Sequence, residues 1–376
     1  DLYKVLQKAQ ILTGTLAPSY KDATNATQNT FGRYDEKALP SLNRNFLAAI
    51  YAGSIADWAD VKVVPIYDTT GTFIPVASRT AKTLLQIASD AYAAGTDLSV
   101  ALPAIALPTD TAVGVSTRNT GAAIGAVAYG KLLNYPNVAG SYKPARSSGL
   151  NPGAGFPNVQ ESGGAGDSGK NLADWNNGTT TAIDANGNPL NVAGRRIWGF
   201  ALNSADKLNA TAVPAAGTSS AANSWRYIKI DGAAPTLENV FAGAYPYWAE
   251  GEVLVRIQAT RTGEGADNTA LSGYTAAKLK AAKKAILTKY ANDLGRDNTV
   301  ASSVNAGLKA AWGDTGIFST TYTNQAATNS IPFDNTKPVS GLEHDSAGDP
   351  TVPRVGIVPV PFVNGTGNTI NTIQLK

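Results

Sequence analysis

The residues of this chain that could do chemistry fall in four places. Residues 151–175 (NPGAGFPNVQESGGAGDSGKNLADW) are dense in glycine, and 163–169 run into a helical NLADW. That is loosely the pattern of a loop whose backbone N–H groups cradle a phosphate. The spacing for a phosphate-binding lysine and a metal-binding hydroxyl is not met, because Gly169-Lys170 is followed by Asn171. A flexible loop is the expectation here. Asp184, Asn186 and Asn188 are oxygen-bearing residues at alternate positions, as at the start of a calcium loop. The continuation fails, since Gly187 comes too early and Arg195 stands where a bidentate glutamate is needed. His344 is the sole histidine, flanked by Glu343 and Asp345. Neighbours in an extended chain point apart, so neither carboxylate orients it as a catalytic base, and a solvated histidine is expected. Glu250 and Glu252 border a strand-like run, with nothing to make them an acid and a base. No paired-histidine metal set and no dinucleotide fingerprint occurs. Neither an enzyme nor a cofactor is expected.

Composition narrows the function further. The 376 residues are enough for two lobes and a sizeable core. Only 16% are charged and the net charge is +3, without a dominant basic stripe, which argues against nucleic acid as a partner. The densest basic stretch, 278–289, lies on an expected helix and reads as a solvated face. With no cysteine, disulfides, thiolate zinc sites and thiol catalysis are excluded. With no methionine, Asp1 is expected to follow a cleavage or a truncation, and no signal peptide remains. Abundant Ala, Gly, Thr and Asn with sparse charge suggest a secreted or surface-exposed bacterial protein. No run approaches a membrane span.

The elements that must position these residues alternate between helical and extended patterns. A helix is expected over 1–12, then a polar loop over 13–38. Residues 40–58 read as a helix capped by Ser41 and closed by Gly53. Residues 61–76 read as β-rich with a turn at Thr70-Gly71, 81–94 as a helix and 101–107 as a strand. In 112–136 an apolar strand runs into Arg118, then a turn, then a helix over 127–133. Residues 179–192 read as a hairpin turning at Asn186-Gly187, 196–202 as a buried strand and 208–223 as a low-complexity loop. Over 225–256, strand-like Trp225, Tyr227 and Ile230 lead into an Asp231-Gly232 turn. A short helix starting near Pro235 and Thr236 follows, and then an apolar strand, 253–255. The clearest helical periodicity is 274–294, and 299–312 is a weaker helix. From 333 onward Pro, Gly, Asn and Thr dominate around two β-like islands, 355–363 and 369–375. Repeated proline rules out a central strand, leaving an edge strand or an arm that pairs with another subunit.

One stretch carries a resemblance. From Ile230 to Pro246 the order is I-D-G-x-x-P-T-x-E-N-V-x-x-G-x-Y-P, and 53–58 end a helix as G-x-I-x-x-W. These resemble signatures of PstS-like phosphate-binding proteins, receptors of ABC importers with the two-lobed type II periplasmic-binding-protein fold. The resemblance implies an α/β protein whose cleft binds phosphate or another oxyanion. In that family the strand–turn–helix around Arg118 carries an arginine followed by S-G-T. Here Arg118 and Asn119 lead into Thr120-Gly121, but Ala122 replaces the last hydroxyl. Glu161, Ser162 and Asp167 match a second, acidic and hydroxyl-bearing stretch, whereas Gly164-Ala165 does not. The implied oxyanion contacts are therefore Arg118, Asn119, Thr120, Gly121, Glu161, Ser162 and Asp167.

Set beside the family, the first lobe is incomplete. Residues 1–200 resemble the second lobe, 201–332 the return segment of the first lobe with C-terminal helices, and 333–376 form an extended β-like tail. An open sheet lacking its early strands exposes unpaired edges. The function expected first is a secreted structural subunit, of a filament or surface layer, that assembles with copies of itself by strand addition from the tail. The alternative is a periplasmic oxyanion receptor.

Overall fold

A computed structural model describes residues 1–51, 53–93, 101–118, 157–203 and 225–236. It also describes short islands at 124–125, 128, 150, 239, 244–247, 282, 285–286, 309–310 and 313–314. Helix α1 (Leu2–Leu12) forms where apolar residues recur at helical spacing, and Leu2, Val5, Leu6, Ala9 and Leu12 are all buried. The helix lies deeper than one apolar face requires, because Gln7, Lys8 and Ile11 are buried as well. Its polar residues are matched in hydrogen bonds. The Gln7 amide donates to the carbonyls of Thr30, Arg33 and Ala38 at 3.2, 2.9 and 2.8 Å and accepts from the Gly32 N–H at 2.9 Å. The Lys8 ammonium donates to the carbonyls of Ala88, Asp90 and Pro103.

Those bonds fasten what the sequence offers as a plain loop. Residues 13–38 contain an antiparallel hairpin of β1 (Ser19–Lys21) and β2 (Thr27–Asn29). Its turn closes because the Asp22 carboxylate accepts from the N–H groups of Thr24 and Ala26. Strand β3 (Ser41–Leu42) precedes α2 (Arg44–Tyr51), so Ser41 is not the expected cap. Asn43 takes that place, accepting from Asn45 N–H at 2.7 Å, while the Ser41 hydroxyl accepts from Gly232 N–H. Trp58 opens a 3-10 turn (Trp58–Asp60), packs edge-on to Trp198 at 6.2 Å and donates to the Trp198 carbonyl at 2.8 Å. Strands β4 (Lys62–Val63) and β5 (Lys82–Thr83) pair antiparallel. Helix α3 (Leu84–Ser89) starts from a reciprocal Thr83–Gln86 capping box, later than periodicity suggests, because Lys82 and Thr83 go to the strand. Of the strand expected over 101–107, Leu102 makes a single bridge, to Tyr92.

The centre is a parallel sheet of β6 (Gly114–Arg118), β7 (Asn158–Ser162) and β8 (Gly199–Ala201) in the order β7-β6-β8. Helix α4 (Ala165–Asn177) joins β7 to β8. The described part of the glycine-rich stretch is thus not a flexible loop but a strand, a tight turn and a helix. Two of its glycines serve close approach, since a Cβ on Gly163 would come within 3.2 Å of the Asp184 backbone and one on Gly169 within 3.0 Å of the Trp225 ring. On the strands beneath the helix, a Cβ on Gly114 or Gly199 would come within 2.7 or 2.6 Å of the buried Trp175 ring, which lies across both strands. Strand β9 (Lys229–Ile230) pairs parallel with β3. Asp231 and Gly232 both have positive φ, 50° and 86°, as the turn reading requires. Thr236 accepts from Asn239 N–H at 3.1 Å, the bond of a helix start. Where the weaker helix was expected, β10 (Lys309–Ala310) and β11 (Gly313–Asp314) pair antiparallel.

The fold is therefore α/β, mixing helices with small sheets. Apolar side chains from α1, α2, α3, β6 and β8 share one core, including Val5, Ile50, Ile87, Val115 and Trp198, each worth about 1.5–3 kcal/mol when fully buried. Among the described residues no helix is long and apolar enough to cross a membrane. Glu250, Glu252, the helix expected at 127–133 save one residue, most of 274–294 and the whole tail 333–376 with His344 lie outside the described residues.

Candidate functional site

Two places on the central sheet have the geometry of a site. The first lies at the carboxyl ends of β6 and β7, where ligands collect in open parallel sheets. Arg118 is opposite Ser162 in the ladder, and Thr117 is opposite Glu161. The face of β6 toward α4 carries Gly114 beneath Trp175 and Ser116 beside Ser168, whose hydroxyls lie 3.4 Å apart. Alternation along the strand puts Arg118 on that same face, toward the start of α4. The structure thus places Arg118 and Ser162 on the face toward α4, where Asp167 stands, and Glu161 on the opposite face, whereas Asn119, Thr120 and Gly121 lie outside the described residues.

The chemistry of this cluster is partly spent internally. Ser162 is buried and its hydroxyl donates to the Thr117 carbonyl at 2.8 Å. Asp167 stands in the first turn of α4, where a carboxylate offsets the helix dipole, and pairs with Lys170 at 3.3 Å. It lies close enough to Gly164 that a Cβ there would come within 3.3 Å of its carboxylate. A negative side chain therefore sits at the helix start, where an anion would dock. Arg118 keeps capacity in reserve, since its buried Nε has no hydrogen-bond partner. Under the same helix, both amide atoms of Asn171 and the indole Nε1 of Trp175 are also buried without a partner.

The calcium-like residues form a turn. Asp184 accepts from the N–H groups of Asn186 and Asn188 at 2.8 Å each and from the Asn188 side chain at 2.9 Å. These bonds hold its carboxyl below the usual range and occupy the oxygens a cation would need. Gly187, at φ +86°, turns the hairpin that Ile183 and Pro189 close. Among the described residues no cluster of three or more His, Cys, Asp or Glu is placed to hold a metal.

The second place is on the far side of β8. A cavity of about 490 Å³ is bounded by the start of α1, the end of α2, α4 near Leu172 and Asn176, the strand stretch 197–203 and the extended segment 225–230. Its walls are rich in aromatic rings: Tyr3, Tyr51, Trp198, Phe200, Trp225, Tyr227, Tyr245 and Tyr247. Burial pushes the Tyr245 and Tyr247 hydroxyls far above the usual phenol range. Arg226 lies 5.1 Å over the Tyr34 ring, and burial lowers its guanidinium while Tyr34 and Tyr3 draw it back up.

The backbone of β8 faces this cavity with open groups. Trp198 accepts from Gly114 N–H at 2.9 Å, so the polar groups of even-numbered positions point at β6. Those of Gly199 and Ala201 point the other way. Among the described residues no strand pairs with that edge, and Gly199 and Ala201 have no partner there. Sequence reasoning marked 196–202 as a buried strand and so missed its open edge. The readable signal was the pair of smallest residues at alternate positions in IWGFAL.

No family model, no curated protein and no solved structure matches this chain, so the resemblance to PstS-like proteins rests on the residues that carry it.

Proposed function

We propose that this chain is a self-assembling extracellular subunit, of a filament or surface layer, whose tail adds a strand to a neighbouring copy. In this reading the fold is a PstS-like, two-lobed frame with an incomplete first lobe, and the missing strand comes from outside. The observation that carries it is the β8 edge, which no strand among the described residues joins, along an aromatic cavity of about 490 Å³. An unpaired edge beside apolar walls is a template for pairing with another chain. Each copy would then hold one acceptor edge and one donor tail. Such a head-to-tail contact repeats without closing and builds a fibre.

The test is electron microscopy and sedimentation of the full chain against a chain ending before Lys337. The full chain is expected to form fibres and the shortened chain to remain monomeric. Monomers from both would overturn the proposal.

A second reading, a periplasmic oxyanion receptor, draws on the unpartnered Nε of Arg118 near the start of α4. Asp167 at that helix start and the internal bond of Ser162 weigh against it. Stoichiometric heat of phosphate binding to a monomer would establish the receptor and remove the assembly reading.

A further inference from the structure

The acceptor edge and the proline spacing of the tail fit each other, and we infer that residues 352–363 of a second copy add as an edge strand along Gly199 and Ala201 of β8. This rests on the assembly reading and specifies its contact. The donor, VPRVGIVPVPFV, carries prolines at 353, 359 and 361. In a strand the N–H and C=O of one residue point to the same edge, and successive residues alternate between edges. All three prolines are odd-numbered, so every missing N–H falls on one edge. Arg354, Gly356, Val358, Val360 and Phe362 keep a complete row of donors and acceptors on the other. The segment is therefore a one-sided strand. It can pair with a single open edge and cannot recruit a further strand behind it, which stops lateral aggregation.

The acceptor is one-sided in the complementary sense. Even-numbered positions of β8 spend their groups on β6, and Gly199 and Ala201 present theirs outward. The side chains of both residues are the smallest available, so an incoming backbone meets little steric obstruction. Behind that edge, Trp198, Phe200, Trp225 and Tyr227 line the cavity. Val358, Val360 and Phe362 supply apolar side chains on one face of the donor, and Val355, Ile357 and Val363 on the other. A segment apolar on both faces suits a slot walled on both sides.

Single prolines test the pairing by parity. Val358→Pro removes a donor from the intact edge, and Ile357→Pro adds a gap to the edge that already lacks donors. Fibre formation is expected to need a roughly tenfold higher concentration for Val358→Pro, the equivalent of one hydrogen bond, and to be unchanged for Ile357→Pro. Ala201→Pro removes an outward N–H that β6 does not use. That monomer is expected to keep its circular dichroism spectrum and to lose assembly. Because the chain has no cysteine, Ala201→Cys paired with single cysteines scanned over 355–362 reads the contact directly. Cross-links between copies with a two-residue period are expected. If these variants assemble as the parent does, or cross-links form only within one copy, the β8 contact is wrong while tail-driven assembly stands. If the parent itself stays monomeric, both fall.

Discussion

Two buried amides set the two halves of the described structure against each other. Gln7 on α1 and Asn171 on α4 are both fully removed from solvent. Gln7 uses its amide completely, with bonds to Thr30, Arg33 and Ala38 carbonyls and from Gly32 N–H. Asn171 uses neither side-chain atom. The contrast extends beyond the pair. Around α1, Lys8 donates to the Ala88 and Asp90 carbonyls at the end of α3 and to the Pro103 carbonyl, and the 30–38 loop is pinned by Gln7. Around α4, the side chain of Asn171, the Trp175 indole and the Nε of Arg118 are buried without a partner, and no strand among the described residues meets the outer groups of β8. Folded proteins leave few such groups, so their concentration in one layer marks where something else completes the structure. Among the described residues the polar groups of the α1 region are met and those of the α4–β8 layer are not.

The largest way to break this comparison is Gln7→Ala. It strands buried carbonyls and an N–H at once, and urea unfolding is expected to show a loss of about 3–4 kcal/mol. A loss under about 1 kcal/mol would mean the amide does not hold the loop. An intermediate effect comes from Lys8, whose ammonium burial lowers from 10.5 to about 8, with Asp90 drawing it up and Lys82 pushing it further down. The folded value lies below the unfolded one, so between the two the unfolded chain holds more proton. Stability therefore rises with pH across that window, by at most about 1.4 kcal/mol per unit, and the gain is lost as pH falls through about 8. Burial raises Tyr3 and Tyr34, which reverses the trend above their ordinary 10.0. Unfolding measured between about pH 8 and 10 is expected to show the rise in the parent and a smaller one in Lys8→Met, where burial of Lys229 still lowers its ammonium. The smallest effect is expected of Asn171→Leu, a similar volume without polar atoms. Stability should stay within about 1 kcal/mol or improve, and a loss above about 2 kcal/mol would show that the amide is in use after all.

Much of the local structure was legible before any folding was considered. The apolar spacing of α1, the left-handed closures at Gly53 and Gly187, the Asp231-Gly232 turn and the Thr236 helix start all depend on residues within one turn of each other. The site was less legible. Arg118, Glu161, Ser162 and Asp167 came from a resemblance, and the juxtaposition of Arg118 with Ser162 depends on β6 and β7 pairing across a separation of 44 residues. The assignment of 13–38 as loop failed for the same reason, since Gln7 reaches it from another element.

By itself the sequence determined the α/β class, the turn positions, the absence of thiol chemistry and the one-sided proline spacing of 352–363. Each follows from residue type and short-range stereochemistry. Only the tertiary structure decided that a glycine-rich stretch is a strand and a helix. There Gly163 serves contact with the Asp184 backbone and Gly169 contact with the Trp225 ring rather than flexibility. It also decided that the outer edge of β8, which no strand among the described residues joins, lies on an aromatic cavity. Burial and strand order are properties of which distant segments meet, and no local pattern encodes them.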